Sequence, residues 1–243
     1  MSLFANMKRD EKVEEIKDNV GGYKVLDSGV YDAMIKVVYA FQSDKGAQGI
    51  KMEFQLKDGT VYKETTYISK QTGENYYTRN GKNFYLPGFI VVDELCAVAT
   101  EQLLAMQETD ERIVKEYDYA TKGEVEKEVP VLTALLGKKV KLGIQKQLEY
   151  KSEKQPDGSY ALVDETREIN VIDKVFSEDG FTTNELLDNA EEAKRLDTWT
   201  NKFNGVVVDK TKNKKPKAAA KGSGTGSPLQ TGTAPKSLFG TKK

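Results

Sequence analysis

Aromatic and cationic side chains are concentrated in one stretch of the sequence, residues 62–85. The stretch holds six aromatic and four cationic residues against two acidic ones. Cations can follow nucleic-acid phosphates, and a flat ring can stack on any base for roughly 1–3 kcal/mol without reading sequence. We therefore predict a surface that binds single-stranded DNA, formed by Tyr62, Lys63, Tyr67, Lys70, Tyr76, Tyr77, Arg79, Lys82, Phe84 and Tyr85. For any single tyrosine the alternative is packing within a sheet, because tyrosine is favoured in strands.

A second basic stretch covers residues 137–154, with six lysines against two glutamates. The segments between and after the two stretches are acidic, so the positive charge is local. We add Lys139, Lys141 and Lys146 to the predicted DNA-binding residues, with surface lysines that protect a strand edge as the alternative.

Few residues in this chain could support catalysis. There is no histidine, and Cys96, the one cysteine, lies in an apolar run that predicts a packed thiol. Glu149 and Lys151 have a spacing that metal-dependent nucleases use, but an upstream acidic partner is missing. We predict no catalytic residue, no metal site and no cofactor, and keep a metal-dependent nuclease as the third functional hypothesis.

The C-terminal segment has a charge opposite to that of the rest of the chain. Residues 210–243 contain nine lysines and no acidic residue, although the formal net charge of the whole chain is −1. Such a segment can engage an acidic surface. An apolar pair near its end predicts a short partner-binding peptide, with Leu238, Phe239, Lys242 and Lys243 as its contacts. A solvated tether is the alternative. An interaction adaptor or transcription co-activator that acts mainly through this tail is the second functional hypothesis.

Hydrophobic periodicity gives the order of the elements. Alternating apolar residues predict strands from Gly29 onwards, and Asn80-Gly81 is a strong hairpin signal. Helical spacing predicts a helix over 89–106 and a last helix from Thr182 to about Phe203. Between them lies a long hairpin over 139–176 that turns at 156–158.

These elements predict a mostly β fold with added helices (α+β). We expect a small OB-like β-barrel with a helix after the fourth strand, a long hairpin and a C-terminal helix. A split β-sandwich is the alternative. The predicted organisation is an N-terminal helical arm over 1–22, an OB-like DNA-binding domain over 23–209, and a disordered basic tail over 210–243. No apolar run approaches the length of a membrane span, so we expect a soluble, intracellular protein with no membrane contact.

Several stretches, taken together, resemble the single-stranded DNA-binding proteins of Enquatrovirus-type (schitovirus) bacteriophages. The resemblance covers about 25–210 and rests on Gly46–Leu56, Tyr67–Ser69, Asn75-Tyr76, Gly81–Phe89, Asp93–Cys96, Val129–Leu132, Leu135–Lys138, Asn170–Phe176 and Trp199. It implies a protein that coats phage single strands during replication and recombination, in the cytoplasm of the infected bacterial host.

The resemblance also implies partners beyond DNA. They are phage replication proteins and the host RNA polymerase, the latter contacted in late transcription by a tail that ends in lysines, as Lys242-Lys243 do here. This tail is basic, whereas the tails of bacterial single-strand binders are acidic with a terminal Pro-Phe. Recruitment of host repair partners through such an acidic peptide is therefore not expected. We favour a monomer.

Overall fold

The computed structural model describes residues 25–118, 121–155 and 159–213. The predicted helical arm over 1–22, the turn over 156–158 and nearly all of the predicted disordered tail lie outside these residues.

The described chain is mostly β, as predicted, with ten strands and three α-helices. The strands are β1 (Gly29–Gln42), β2 (Gln48–Leu56), β3 (Val61–Tyr67), β4 (Tyr76–Arg79), β5 (Lys82–Tyr85), β6 (Asp110–Asp118), β7 (Gly123–Val131), β8 (Lys139–Lys154), β9 (Tyr160–Ser177) and β10 (Val207–Asp209). The helices are α1 (Pro87–Thr100), α2 (Thr183–Leu187) and α3 (Lys194–Phe203). Short 3-10 turns cover Leu104–Met106, Thr133–Leu135 and Thr211–Asn213.

Strand β1 is the centre of an eight-stranded sheet. It pairs antiparallel with β2 along most of its length, with β8 over its first half, and with β7 at Tyr39 and Val131. The hairpins β2–β3, β6–β7 and β8–β9 are antiparallel, and β10 adds in parallel to β8. Strands β4 and β5 form a separate two-stranded sheet.

The main core lies between this sheet and helix α1. Ile35, Phe54 and Leu142 are fully buried on the sheet side, and Leu95 and Cys96 face them from the helix. Cys96 is thus the packed thiol that the sequence predicts, and burial raises the pKa of this thiol to about 12.

The eight-stranded sheet is open rather than a closed barrel. In the part of the chain that the structure describes, no ladder joins the edge strand β3 to the edge strand β9. A side chain spans this gap: the carboxylate of Glu64 on β3 accepts hydrogen bonds from the Tyr62 hydroxyl at 2.6 Å and from the backbone N–H of Ile172 on β9 at 2.8 Å. Burial raises the pKa of Glu64 to about 7, although both hydrogen bonds favour the charged form.

Two predicted helices differ from the observed ones. Helix α1 follows the fifth strand rather than the fourth and ends at Thr100, because Glu101 adopts a left-handed conformation with φ 59°. The predicted last helix is two helices, and α2 begins with a reciprocal capping box between Thr182 and Glu185. Leu187, the last residue of α2, is 72% exposed.

Among the described residues, no helix is both long and apolar enough to span a membrane.

Candidate nucleic-acid interface

The β4–β5 hairpin turns at Asn80 and Gly81, as predicted. Both residues have positive φ, 52° and 71°, which is the backbone that a tight two-residue hairpin turn requires. All four residues of β5 are exposed. The hairpin is therefore a two-stranded arm with largely exposed side chains among the described residues.

One face of the arm combines aromatic rings with cations. Tyr77 lies opposite Phe84, and their rings stack with centroids 5.7 Å apart and planes 28° apart. The rings stay accessible, with 38% and 45% of each residue exposed. Arg79 lies opposite Lys82 one step along the same face, and neither cation has an ion-pair partner within the described ranges. We call these four residues the hairpin face.

The other side of the arm carries two more of the predicted aromatics. Tyr85 is exposed and packs against Phe89 of α1, with ring centroids 5.1 Å apart. The ammonium of Lys70 lies 5.4 Å from the ring centroid of Tyr76 and also pairs with Glu74 at 3.1 Å. Lys70 is thus partly neutralised where it lies.

A close backbone contact fixes the base of the arm beside β3. The Leu86 N–H donates to the Asn75 carbonyl at 2.8 Å and closes the arm. Two residues later, a Cβ at Gly88 would overlap the Thr66 hydroxyl oxygen and the Tyr67 carbonyl oxygen. Only glycine permits this approach, so α1 starts directly against the end of β3.

A second aromatic pair lies on the outer face of the sheet. Phe41 of β1 and Tyr67 of β3 meet edge to face, with ring centroids 5.7 Å apart. Gly49 of β2 lies between them in register, and a side chain there would collide with the Phe41 ring. Sequence reasoning placed Phe41 in a strand but not in the binding set, because alternation alone does not say which residues of neighbouring strands meet.

One lysine lies beside this pair, and a second lies four residues before Tyr67 on β3. Lys63 of β3 is exposed and pairs with Glu53 at 2.8 Å. Lys51 of β2 pairs with Glu116 of β6, and its ammonium lies 5.4 Å from the ring centroid of Phe41. Burial, with repulsion from Lys127 as a smaller cause, lowers the pKa of Lys51.

Tyr62 corrects the predicted set. It is only 2% exposed and packs near Phe54, while its hydroxyl donates to Glu64. Its ring therefore cannot stack on a base at the surface. In β3 the side chains at 61, 63, 65 and 67 face outward, and position 62 has the opposite parity.

The predicted lysines of β8 lie in ion pairs with acids from distant parts of the chain. Lys139 pairs with Glu178 at 3.1 Å and Lys141 with Asp32 at 2.6 Å. The hydrogen bond from Lys141 is the main cause of a lowered pKa at Asp32.

Lys146 has two acidic neighbours, Glu168 at 3.0 Å and Asp27 at 3.7 Å. The hydrogen bond to Glu168 is the largest cause of its raised pKa. The three predicted lysines of β8 therefore lie in ion pairs with neighbouring carboxylates and not on the hairpin face.

The residues considered for metal chemistry are paired as well. Glu149 accepts from Arg167 at 2.7 Å, and Lys151 donates to Glu165 at 2.8 Å. No group of three or more potential metal ligands occurs within residues 25–118, 121–155 and 159–213. The predicted partner contacts Leu238, Phe239, Lys242 and Lys243 lie outside the described residues.

No known protein-family model and no curated protein matches this chain.

Proposed function

We propose that this chain is a non-enzymatic protein that binds single-stranded DNA without reading its sequence. The hairpin face is the observation that carries the proposal: two stacked, accessible rings lie beside two cations on the β4–β5 arm.

Each part of the hairpin face matches a general feature of single strands. Unpaired bases expose flat apolar faces that water solvates poorly, and Tyr77 and Phe84 offer rings of the same kind. Arg79 and Lys82 can release counterions from phosphates when they bind, because they have no ion pairs to break among the described residues. The lysines of β8, in contrast, would have to break their ion pairs with carboxylates before they could bind phosphates.

The outer face of β1–β3 extends this surface. Gly88 holds the base of the arm against the end of β3, next to Tyr67 and the Phe41 ring. A strand that leaves the hairpin face can therefore continue over a second aromatic pair, with Lys63 farther along the same face of β3. The succession of the hairpin face and the Phe41–Tyr67 pair along one path supports a bound segment of several nucleotides.

The test is a titration of fluorescently labelled oligo(dT), followed by anisotropy at two salt concentrations. We expect binding that weakens with salt, by a slope of about −0.7 per phosphate contact on single strands. The double substitution Arg79→Glu and Lys82→Glu should weaken binding to all sequences and reduce that slope by about 1.4. Lys154→Glu is the matched control, since Lys154 is exposed at the end of the β8–β9 hairpin. Absence of binding at low salt would refute the proposal.

The wider role rests on the resemblance to the phage proteins. We propose that the chain supports phage DNA replication and recombination as a monomer in the host cytoplasm, and that its sheet is an elaborated OB-like barrel. The β1–β2–β3 meander and the bridge from Glu64 to β9 support the barrel assignment. The open edge between β3 and β9 is where it differs from a closed barrel.

A second candidate function is an adaptor that acts through the tail, favoured by its nine lysines and its Leu-Phe pair. Contact with host RNA polymerase or with phage replication proteins belongs to this proposal. Deletion of 229–243 separates the two functions: oligo(dT) binding should survive and partner binding should be lost. If the deletion abolishes DNA binding, this division between body and tail is wrong.

A further inference from the structure

One face of the β6–β7 hairpin collects negative charge and exposed apolar side chains. Strand alternation places four residues of β6 and four residues of β7 on this face, and the observed register agrees with this placement. They are Glu111, Ile113, Lys115 and Tyr117 from β6 and Glu124, Glu126, Glu128 and Pro130 from β7. We call this set the acidic hairpin face. Four of the eight residues are glutamates and one is a cation.

The two faces of this hairpin have different environments. On the inner face, Val114 packs near Tyr39 and Val131, and Glu116 pairs with Lys51. On the acidic hairpin face, Ile113 is 69% exposed and Tyr117 is 52% exposed.

The glutamates of this face outnumber its cation. Lys115 lies opposite Glu126 in the ladder, and it offsets only one of the four negative charges. The face thus combines a net negative charge with accessible apolar groups, which is complementary to a basic peptide that carries apolar residues.

The chain contains such a peptide near its C-terminus. Residues 235–243 read PKSLFGTKK, with three lysines, a Leu-Phe pair and no acid. We propose that this segment docks on the acidic hairpin face of the same molecule. The apolar pair Leu238-Phe239 then packs on an exposed apolar side chain of the face, Ile113 or Tyr117, and the lysines lie near its glutamates.

The length of the tail permits docking within one molecule. About 22 residues separate the last described residue from the segment, and a random coil of that length spans ~26 Å. A body of about 190 residues has a radius of gyration of ~16 Å. The inference is independent of the DNA-binding proposal, but it implies that nucleic acid and acidic partners compete with this face for the tail.

The experiment places a nitroxide on the full chain at Thr241→Cys. Cys96 is buried with a raised thiol pKa, so it does not react under the labelling conditions. In the ¹⁵N-labelled protein at low salt, amide signals of β6 and β7 should be attenuated by the nitroxide and should recover at about 1 M NaCl, where the Debye length is about 3 Å.

Variants test the surface. The combined substitution Glu124→Gln, Glu126→Gln and Glu128→Gln should weaken the docking equilibrium by roughly tenfold, which is the sum of three ordinary surface ion pairs. Glu191→Gln with Glu192→Gln removes charge from a different acidic segment and should leave the attenuation unchanged.

Three results would overturn the proposal. One is the absence of attenuation in the amide signals of β6 and β7 at low salt. Another is attenuation that is lost in the Glu191→Gln, Glu192→Gln control but kept in the triple glutamine variant of β7. The third is attenuation of the same size when spin-labelled, unenriched protein is mixed with ¹⁵N protein that carries no nitroxide, because the occupant would then be the tail of a second copy.

Discussion

Replacing Glu64 by glutamine should make the stability of the protein less dependent on pH. The carboxylate of Glu64 lies between β3 and β9, and burial raises its pKa from 4.5 to about 7. Because the pKa in the folded state is the higher one, the folded protein binds more protons than the unfolded chain between these values. Stability therefore falls as the pH rises from about 4.5 to about 7 and levels off above that.

The magnitude follows from the same shift. Linkage between pKa values of 4.5 and about 7 makes the wild type lose about 2–3 kcal/mol between pH 5 and pH 8 through this group alone. Glutamine can still accept the hydrogen bonds from Tyr62 and from the Ile172 N–H but has no charge to bury. Glu64→Gln should therefore gain about 2–3 kcal/mol relative to wild type on going from pH 5 to pH 8.

Urea unfolding at the two pH values, followed by the fluorescence of the buried Trp199, measures this difference. The control is Glu165→Gln, which removes an exposed carboxylate paired with Lys151 and should change stability by less than about 1 kcal/mol at either pH. An equal effect of Glu64→Gln at pH 5 and pH 8 would refute the reasoning, because the carboxyl would then be ionised alike in folded and unfolded protein.

Two further predictions concern the surroundings of the proposed interface. Gly88→Ala should lower the free energy of unfolding by about 1–3 kcal/mol and weaken oligo(dT) binding, because the added methyl group would overlap the Tyr67 carbonyl oxygen and displace the base of the arm. In the control Gly123→Ala, the nearest atom to the added methyl group is 3.9 Å away. Melts and titrations of this control should show neither a loss of stability nor a loss of binding. Cys96 should react with a thiol reagent at pH 8 only as fast as the protein unfolds, since its thiol is buried and its pKa is raised to about 12. Rapid labelling of the native protein would contradict the core position of this residue.

Local signals in the sequence were sufficient for the arm. Asn80-Gly81 specifies its own turn, so the pairing of Tyr77 with Phe84 and of Arg79 with Lys82 follows from position alone. The stacked pair and the adjacent cations could therefore be predicted without knowledge of the rest of the fold.

Features that depend on distant strands could not be predicted in this way. Tyr62 and Lys63 are neighbours in an aromatic and basic run, but the parity of β3 buries the first and exposes the second. The carboxylate that pairs with Lys141 is that of Asp32, 109 residues away, and no short window contains both. The contact between Phe41 and Tyr67 likewise depends on the register of three strands.

The prediction of one C-terminal helix failed for a related reason. Thr182 was correctly expected to cap a helix, and its hydroxyl accepts from the Glu185 N–H. The Glu185 carboxylate also accepts a hydrogen bond from the backbone N–H of Arg195. This bond holds the start of α3 beside α2. The helical pattern of the sequence over residues 182–203 does not reveal that the Glu185 side chain bonds to the N-terminal ends of two separate helices, α2 and α3.

In the proposed function, the aromatic rings of the β4–β5 arm bind single-stranded bases. The direct measurement compares Tyr77→Ala with Tyr160→Ala in oligo(dT) titrations at one salt concentration. Both tyrosines are exposed, but Tyr160 lies at the far end of the β8–β9 hairpin, outside the hairpin face. Loss of one stacking ring should cost roughly 1–3 kcal/mol of binding free energy for Tyr77→Ala, with no loss for Tyr160→Ala. Equal affinities of the two variants and the wild type would contradict the account.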